Sequence, residues 1–388
     1  MEKKFRDYPL LKIEKKSVPI FYPHIPRNAK KSVSKVLSGR WLGQGPLVDI
    51  FEKKFSKQFC DNLPTVAVGS GTDALHLAYL LSGIKKNDEI ICPVFTCTAT
   101  NIPLLYIGAK IKFADIDPTT LNISIESVEK LITKKTKAIV FVNYGGLLNN
   151  LDKLNEIAKK NNLILIQDAA QSLGARYNRK SIVNFADFTI FSFQAIKHIT
   201  SGDGGALVMK KISLEKKCKR LRWFGIDRPK KQGGTWENDI KEIGYKYQMT
   251  DLGACLLLDS MKEFNLIKYK RNLIYKTYLN HIKQSKKIRC IESTDKNSDE
   301  VMWLFTIISP FKDVLQKKLR EKKIETNQVH FRNDRYSIFK QFVKKKKFIN
   351  MDSLEKQYLV LPMHTKMSKD DAIRISLEIN KIVKQIDK

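Results

Sequence analysis

The sequence contains no long hydrophobic run and no closely spaced pair of cysteines. None of its apolar stretches approaches the roughly 18 to 20 residues that a membrane-spanning helix requires. The N-terminal residues MEKKFRDYPLLKIEKK lack the apolar centre of a signal peptide. The six cysteines are scattered, without a CxxC pair or a metal-like spacing with histidine. We therefore expect a cytoplasmic protein with free thiols, no metal site and no membrane contact.

Acidic residues are scarce relative to basic ones. The chain has 40 Asp and Glu against 71 Lys and Arg, which gives a formal net charge of +31. The excess is dispersed and consists mainly of lysine, whereas a nucleic-acid groove more often combines arginine with aromatic residues. We interpret the charge as a solvated, lysine-rich surface without a nucleic-acid partner. Such a field would steer a diphosphate-bearing substrate toward the protein.

Residues 28–255 alternate between short strand-like and longer helix-like segments. The strand-like segments are 89–95, 110–116, 138–144, 163–169, 188–193 and 205–209. Several are apolar on both faces, which is typical of parallel strands covered by helices. Ser124 and Asn150 carry side-chain oxygens that can cap the helices after them. The pattern predicts one large α/β domain over 28–255.

The last third of the chain has a different pattern. A long helical stretch at 260–283 is followed by a strand-like segment at 301–309 and a helix-like segment at 314–323. This order predicts a smaller α+β domain over 256–388. Residues 1–27 are too few to fold alone, and we expect them to pack on that domain.

The segment Gly69–Thr72 (GSGT) precedes an apolar helix. Glycine lets a backbone approach a phosphate closely, and helix N-terminal amides with a threonine hydroxyl supply hydrogen-bond donors. The same pattern is more often a simple turn and cap. Gly71 and Thr72 are therefore phosphate candidates only in combination with other features.

Asp168 stands at the carboxyl end of the strand-like segment 163–169, where open α/β sheets bind ligands. If the ligand contains a nitrogen heterocycle, the Asp168 carboxylate could pair with its protonated ring nitrogen, and Gln171 could donate a hydrogen bond to an oxygen on the same ring. Capping of the following segment is the competing interpretation of Asp168.

Lys197 lies five residues after Ser192, between a strand-like segment and a glycine-rich turn. Its neighbours are largely apolar, and partial burial lowers the pKa of an amine and makes it a better nucleophile. An amine, a carboxylate and a phosphate site are what pyridoxal 5′-phosphate (PLP) requires of a protein. The three segments together predict a PLP enzyme.

Further motifs lead to a family resemblance that runs from about residue 20 to the C-terminus. They are WLGQGPLVDIFEKKF (41–55), ITKKTKAIVFVNYGG (132–146), GYKYQMTDLGA (244–254) and VHFRNDRYSIF (329–339). With the segments above, the sequence resembles the DegT/StrS family of PLP-dependent nucleotide-sugar aminotransferases. The resemblance implies the aspartate-aminotransferase-like, type I fold: a large α/β/α domain with a mostly parallel mixed sheet, and a smaller C-terminal α+β domain.

The resemblance also implies roles for individual residues. Lys197 would hold PLP as a Schiff base and later move the proton. Asp168 would pair with the pyridine nitrogen, and Gln171 would contact the ring hydroxyl oxygen. The phosphate would be held by Gly71, Thr72 and Ser192. Family members are homodimers with shared active sites, so Lys246, which replaces a usual asparagine, would reach the partner's phosphate.

The implied reaction transfers an amino group, with L-glutamate as the expected donor, to a nucleotide-linked keto-deoxysugar. Pyridoxamine phosphate would be the intermediate cofactor form, and lipopolysaccharide O-antigen or another surface glycan the destination. Four basic residues are candidates for the substrate diphosphate: Arg222, Arg228, His330 and Arg332. Two alternatives remain: an aminotransferase acting on a cyclitol ketone, and a non-catalytic regulator that retains the fold.

Some positions depart from the family pattern. Cys97 stands where an aromatic residue usually stacks on the ring, and Asn143 stands where histidine is common. Related sugar 3-dehydratases have histidine in place of the lysine. Lys197 therefore favours the aminotransferase, and for the adjacent His198 we favour a structural hydrogen bond over proton transfer.

Overall fold

The computed structural model describes residues 17–228, 239–293, 297–343 and 347–386. The first part of the chain forms a seven-stranded sheet between layers of helices, with a small additional pairing at its side. The strands of this part are β1 (Thr65–Val68), β2 (Glu89–Pro93), β3 (Lys110–Ala114), β4 (Thr136–Val142), β5 (Ile164–Asp168), β6 (Arg176–Tyr177), β7 (Lys180–Ser181), β8 (Phe188–Ser192) and β9 (Gly205–Met209). The helices of this part are α1 (Ala29–Leu37), α2 (Pro46–Phe59), α3 (Gly71–Leu81), α4 (Thr98–Ile107), α5 (Ile125–Leu131), α6 (Leu151–Lys160), α7 (Glu215–Leu221) and α8 (Asp251–Lys262).

The large sheet has the strand order β1-β9-β8-β5-β4-β2-β3. Only β9 runs antiparallel to its two neighbours in this sheet, and the other pairings are parallel. The predicted α/β class with a mostly parallel mixed sheet is confirmed. The six predicted strands are present as β2 to β5, β8 and β9. The short TVAV strand β1 is absent from the sequence prediction.

Both faces of the sheet are buried because successive side chains of a strand point to opposite sides. In β4, Ala138 and Val140 belong to one hydrophobic cluster, while Ile139 and Phe141 belong to the cluster on the other face. This explains why the strand sequences are apolar throughout. The predicted caps are confirmed, since the side chains of Ser124 and Asn150 accept hydrogen bonds from backbone amides at the starts of α5 and α6.

The last part of the chain contains a three-stranded antiparallel sheet with flanking helices. Its elements are α9 (Phe264–His281), β10 (Arg289–Cys290), β11 (Ser298–Asp299), β12 (Phe305–Ile308), α10 (Lys312–Glu321), α11 (Ile349–Leu354), β13 (Tyr358–Leu361) and α12 (Lys369–Gln385). The sheet order is β10-β12-β13, while β11 pairs with β6. Residues near the start of the described chain contact this part, because Val18 exchanges backbone hydrogen bonds with Lys323 and Glu325.

Two predicted elements differ from the structure. The helical stretch predicted at 260–283 is divided between α8 and α9 at Glu263, whose backbone leaves the helical region. The strand predicted at 301–309 begins only at Phe305, because the amides of Trp303 and Leu304 both donate to the Gly145 carbonyl instead of a neighbouring strand. None of the helices in the described ranges is both long enough and apolar enough to cross a membrane.

Candidate active site

The carboxyl edge of the parallel strands brings the N-terminus of α3 against the end of β8. A Cβ atom added at Gly71 would lie 3.0 Å from Cβ and 3.3 Å from Oγ of Ser192. A Cβ added at Gly205 would overlap the Ser70 carbonyl. Only glycine permits this approach, which places the first amides of α3, the Thr72 position and the Ser192 hydroxyl side by side. Such a group of donors at a helix N-terminus fits a phosphate.

Asp168 ends β5 in the same edge, next to β8. It is 5% exposed, and its carboxylate accepts hydrogen bonds from Thr100 Oγ1 (2.8 Å) and the Ala170 amide (3.1 Å). Burial raises the pKa of Asp168 despite these bonds and the nearby charge of Lys197. Among the described residues no cation lies within ion-pair distance. A protonated ring nitrogen would supply the missing positive charge, so the residue fits the cofactor.

Lys197 lies in the loop between β8 and β9 and is half-buried. Its Nζ is 3.8 Å from the centroid of the Trp303 ring. Burial lowers the pKa of Lys197 to about 8, while the neighbouring side chains of Cys97 and Asp168 act in the opposite direction. An amine with this pKa is partly unprotonated near neutral pH and can therefore act as a nucleophile and as a proton carrier.

Gln171 is buried between the sheet and a loop of the later part of the chain. Its Oε1 accepts from the Gly145 amide (2.7 Å), and its Nε2 donates to Nε2 of His330 (3.0 Å). Burial, together with the charge of Lys197, lowers the pKa of His330 to about 3, so this imidazole is neutral. The predicted contact of Gln171 with a ring oxygen would use the second hydrogen of the same Nε2.

Arg222, a predicted substrate residue, is instead engaged within the protein. Its Nη1 contacts the Glu52 carboxylate (2.6 Å) and the Ala67 carbonyl (2.8 Å), and Glu52 accepts from the Ala67 amide (2.9 Å). Ala67 lies in β1, at the edge of the large sheet. The Arg222–Glu52 ion pair thus binds the amide and the carbonyl of Ala67, which have no neighbouring strand of the described ranges on that side. This geometry favours a structural role.

The other predicted basic residues are dispersed. Arg332 is 1% exposed and binds Asp334, Asp352 and Glu355, so its guanidinium is also used within the protein. Arg228 donates to the Gln44 carbonyl and lines a cleft of about 970 Å³ between α2 and α7. Lys246 is exposed, with Nζ 5.4 Å from the Phe224 ring centroid. Of the four substrate candidates, His330 is the one that the structure brings to Lys197.

Two residues at the site were missed by sequence reasoning. Thr100 binds Asp168, and the only feature of the sequence that points to Thr100 is its position in α4, the helix after the strand β2. Trp303 lies in a segment interpreted as a strand, where an indole looks like ordinary core. Among the departures from the family pattern, Asn143 is buried and bound to Ser172 and Asn149, which explains it as a structural residue. His198 contacts the Val301 carbonyl through Nε2.

Comparison with protein-family models shows which family this chain belongs to. The model of the DegT/DnrJ/EryC1/StrS aminotransferase family matches residues 23–380. The chain belongs to this family. It is 30% identical to GDP-perosamine synthase of Escherichia coli O157:H7, over 94% of this chain and 98% of that protein. It is also 30% identical to UDP-4-amino-4,6-dideoxy-N-acetyl-beta-L-altrosamine transaminase of Campylobacter jejuni, over 95% and 99% of the two chains.

A solved structure agrees with the family assignment. Helicobacter pylori PseC, an aminotransferase involved in the biosynthesis of pseudoaminic acid, superposes with a TM-score of 0.87 and 25% identity. The match covers 95% of this chain and all of that chain. The type I fold and the aminotransferase class that the motifs predict are thereby confirmed.

Proposed function

We propose that the chain transfers an amino group from L-glutamate to a nucleotide-linked keto-deoxysugar, with PLP as the cofactor and pyridoxamine phosphate as its amino form. The observation that carries the proposal is the meeting of three groups at one sheet edge: the Lys197 amine, the buried Asp168 carboxylate and the contact between Gly71 and Ser192. PLP, when bound, supplies an electron sink that stabilises negative charge on the substrate carbon.

Asp168 and Lys197 would share the proton chemistry. The Asp168 carboxylate, oriented by Thr100 and by the Ala170 amide, would keep the pyridine nitrogen protonated. Lys197 Nζ would attach to the cofactor aldehyde. When free, it would take the proton from the substrate carbon and return it to the cofactor carbon. A pKa of about 8 suits both directions near neutral pH, and such a positioned group typically contributes about 10²- to 10⁴-fold in rate.

The remaining residues would bind and orient. Gly71 and Thr72 at the start of α3, with Ser192, would hold the phosphate through amides and hydroxyls. Gln171 would donate to the ring hydroxyl oxygen while it keeps His330 in place. These contacts would fix the plane of the ring relative to Asp168, which the proton transfer requires.

A second copy of the chain would complete each site. The segment around Lys246 lies beside the phosphate cradle of its own chain, since the Gly69 amide donates to the Tyr247 carbonyl (2.8 Å). The exposed Lys246 amine is thus available to a phosphate in the neighbouring subunit. We propose a homodimer in which Lys246 supplies a cation to the partner's cofactor.

The relatives support a nucleotide sugar as acceptor but name different nucleotides. One is a GDP-perosamine synthase and the other acts on a UDP-linked amino sugar, at equal identity to this chain. The nucleotide therefore has to be determined by experiment, and we propose surface-glycan synthesis as the destination.

The proposal is tested first by colour and then by substrate. Purified protein incubated with PLP should develop the visible absorbance of a lysine-bound cofactor, and Lys197→Ala should not. The pyridoxamine phosphate form is then mixed with 3-keto and 4-keto sugars linked to GDP or UDP, and with keto-inositols. We expect a keto-sugar nucleotide to restore the absorbance. Restoration by keto-inositols alone would replace the proposal with the cyclitol reaction, and a wild type that never binds PLP would end it.

A further inference from the structure

The indole of Trp303 lies directly against the amine that the proposed reaction uses. Lys197 Nζ is 3.8 Å from the ring centroid, and Trp303 is 1% exposed. The ring is also stacked with Phe21 (5.6 Å between centroids, 20° between planes) and with His330 (6.0 Å, 24°). The indole is therefore in contact with two other rings as well as with the lysine.

Hydrogen bonds hold Trp303 to the Lys197 loop and to the long helix α9. Its Nε1 donates to the carbonyl of Ile196, the residue before Lys197 (2.9 Å). Its backbone amide donates to the Gly145 carbonyl (2.7 Å), and its carbonyl accepts from Arg271 Nη1 (3.3 Å). A shift of this residue would therefore move the loop that carries Lys197.

The charges around Lys197 are unbalanced. Arg271 is fully buried, binds the carbonyls of Trp303 and Met363, and has no carboxylate partner in the described part of the chain. Its charge disfavours a second cation at Lys197, as does burial. The side chains of Asp168 and Cys97 oppose this effect, and the buried imidazoles of His330 and His198, whose pKa values are lowered, carry no charge.

We propose that Trp303 is a positioning residue for Lys197, whose indole face stabilises the free ammonium and whose N–H fixes the loop that carries it. The inference rests on the proposed function, in which this amine is released and recaptured in each cycle. An indole face is the strongest of the aromatic partners for a cation, and it keeps its attraction where water is excluded. The indole face thereby offsets part of the destabilisation of the Lys197 ammonium by the Arg271 charge and by burial.

The test measures the titration of Lys197 itself. The full chain, with its cofactor in the pyridoxamine phosphate form, is labelled with trace acetic anhydride from pH 6 to 11, and the Lys197 peptide is quantified by mass spectrometry. Wild type should titrate near pH 8. Trp303→Leu should titrate about one pH unit lower, with Trp303→Phe between the two, because phenylalanine keeps a weaker aromatic face.

Controls separate this effect from general damage and from the proposed function. Trp41→Leu, at an exposed indole, should titrate as wild type, and circular dichroism should show that each variant is folded. Should Trp303→Leu not fold, Trp303→Phe alone still tests the shift. The inference is overturned if both Trp303 variants titrate at or above the midpoint of wild type. PLP attachment would be unaffected by that result. Absence of visible absorbance in wild type with PLP would instead remove the proposed function. The same titration is then made on the cofactor-free protein, where the inference still expects the midpoints of the two Trp303 variants to lie below that of wild type.

Discussion

Buried charges in this protein are arranged in two opposite ways. Near β13, the Arg332 guanidinium is surrounded by the carboxylates of Asp334, Asp352 and Glu355. Around Lys197, Asp168 and Arg271 are also buried, but neither has an ion-pair partner in the described residues. The first arrangement satisfies its own charges, whereas the second bears a desolvation cost that a ligand can relieve. Pairing, rather than burial, therefore separates structural charges from candidate catalytic ones.

The largest effect on stability should come from breaking the paired group. Arg332→Met should lower the free energy of unfolding by about 3–5 kcal/mol, because it leaves buried Asp334 uncompensated. Urea denaturation measures this directly. The matched control is Arg335→Met, which removes a half-exposed partner of the same Glu355 and should cost less than about 1 kcal/mol. Equal losses for the two variants would contradict the distinction between buried and exposed pairs.

For Asp168, the carboxylate without an ion-pair partner in the described residues, we expect a loss of activity without a loss of stability. Asp168→Asn keeps the shape of the side chain but removes the charge that would hold the ring nitrogen protonated. Transamination should fall by about 10²- to 10³-fold, the usual effect of removing one preorganised electrostatic contact. The free energy of unfolding of the cofactor-free protein should not fall, since a desolvated charge is lost. A strongly destabilised variant would show that Asp168 is structural.

A smaller effect is expected where the cofactor would meet hydroxyl groups. Ser192→Ala removes one donor to the phosphate and should weaken PLP binding about tenfold, which corresponds to one hydrogen bond to a charged group. Ser201→Ala is a control from the same loop, because its hydroxyl donates to the Asp203 carbonyl and does not contact Gly71. Titration of visible absorbance gives both affinities. Unchanged affinity for Ser192→Ala would place the phosphate elsewhere.

The same contrast explains what the sequence could predict. Asp168 and Ser192 end strands and Lys197 follows one. Parallel strands bring their carboxyl ends to one edge, so a strand pattern is enough to group these residues. Arg222 and Arg332 carry no such local signal. Their acidic partners are distant in sequence, Glu52 for Arg222 and Glu355 among those of Arg332, so only the folded chain shows that they are structural. Trp303 was missed for the same reason, since its contact with Lys197 joins residues from two separate parts of the chain.

An effect that depends on pH should appear in the stability cost of Lys197 itself. Because its folded pKa of about 8 lies below the ordinary value of 10.5, the folded state disfavours the ammonium. This cost is fully present below pH 8 and disappears as the pH rises from 8 toward 10.5, where the unfolded amine also loses its proton. Cofactor-free Lys197→Met should therefore be more stable than wild type at pH 7, by up to about 3 kcal/mol. Urea denaturation at several pH values should show this advantage shrinking between pH 8 and 10.5, and an advantage independent of pH would mean that packing, rather than the buried charge, separates the two proteins.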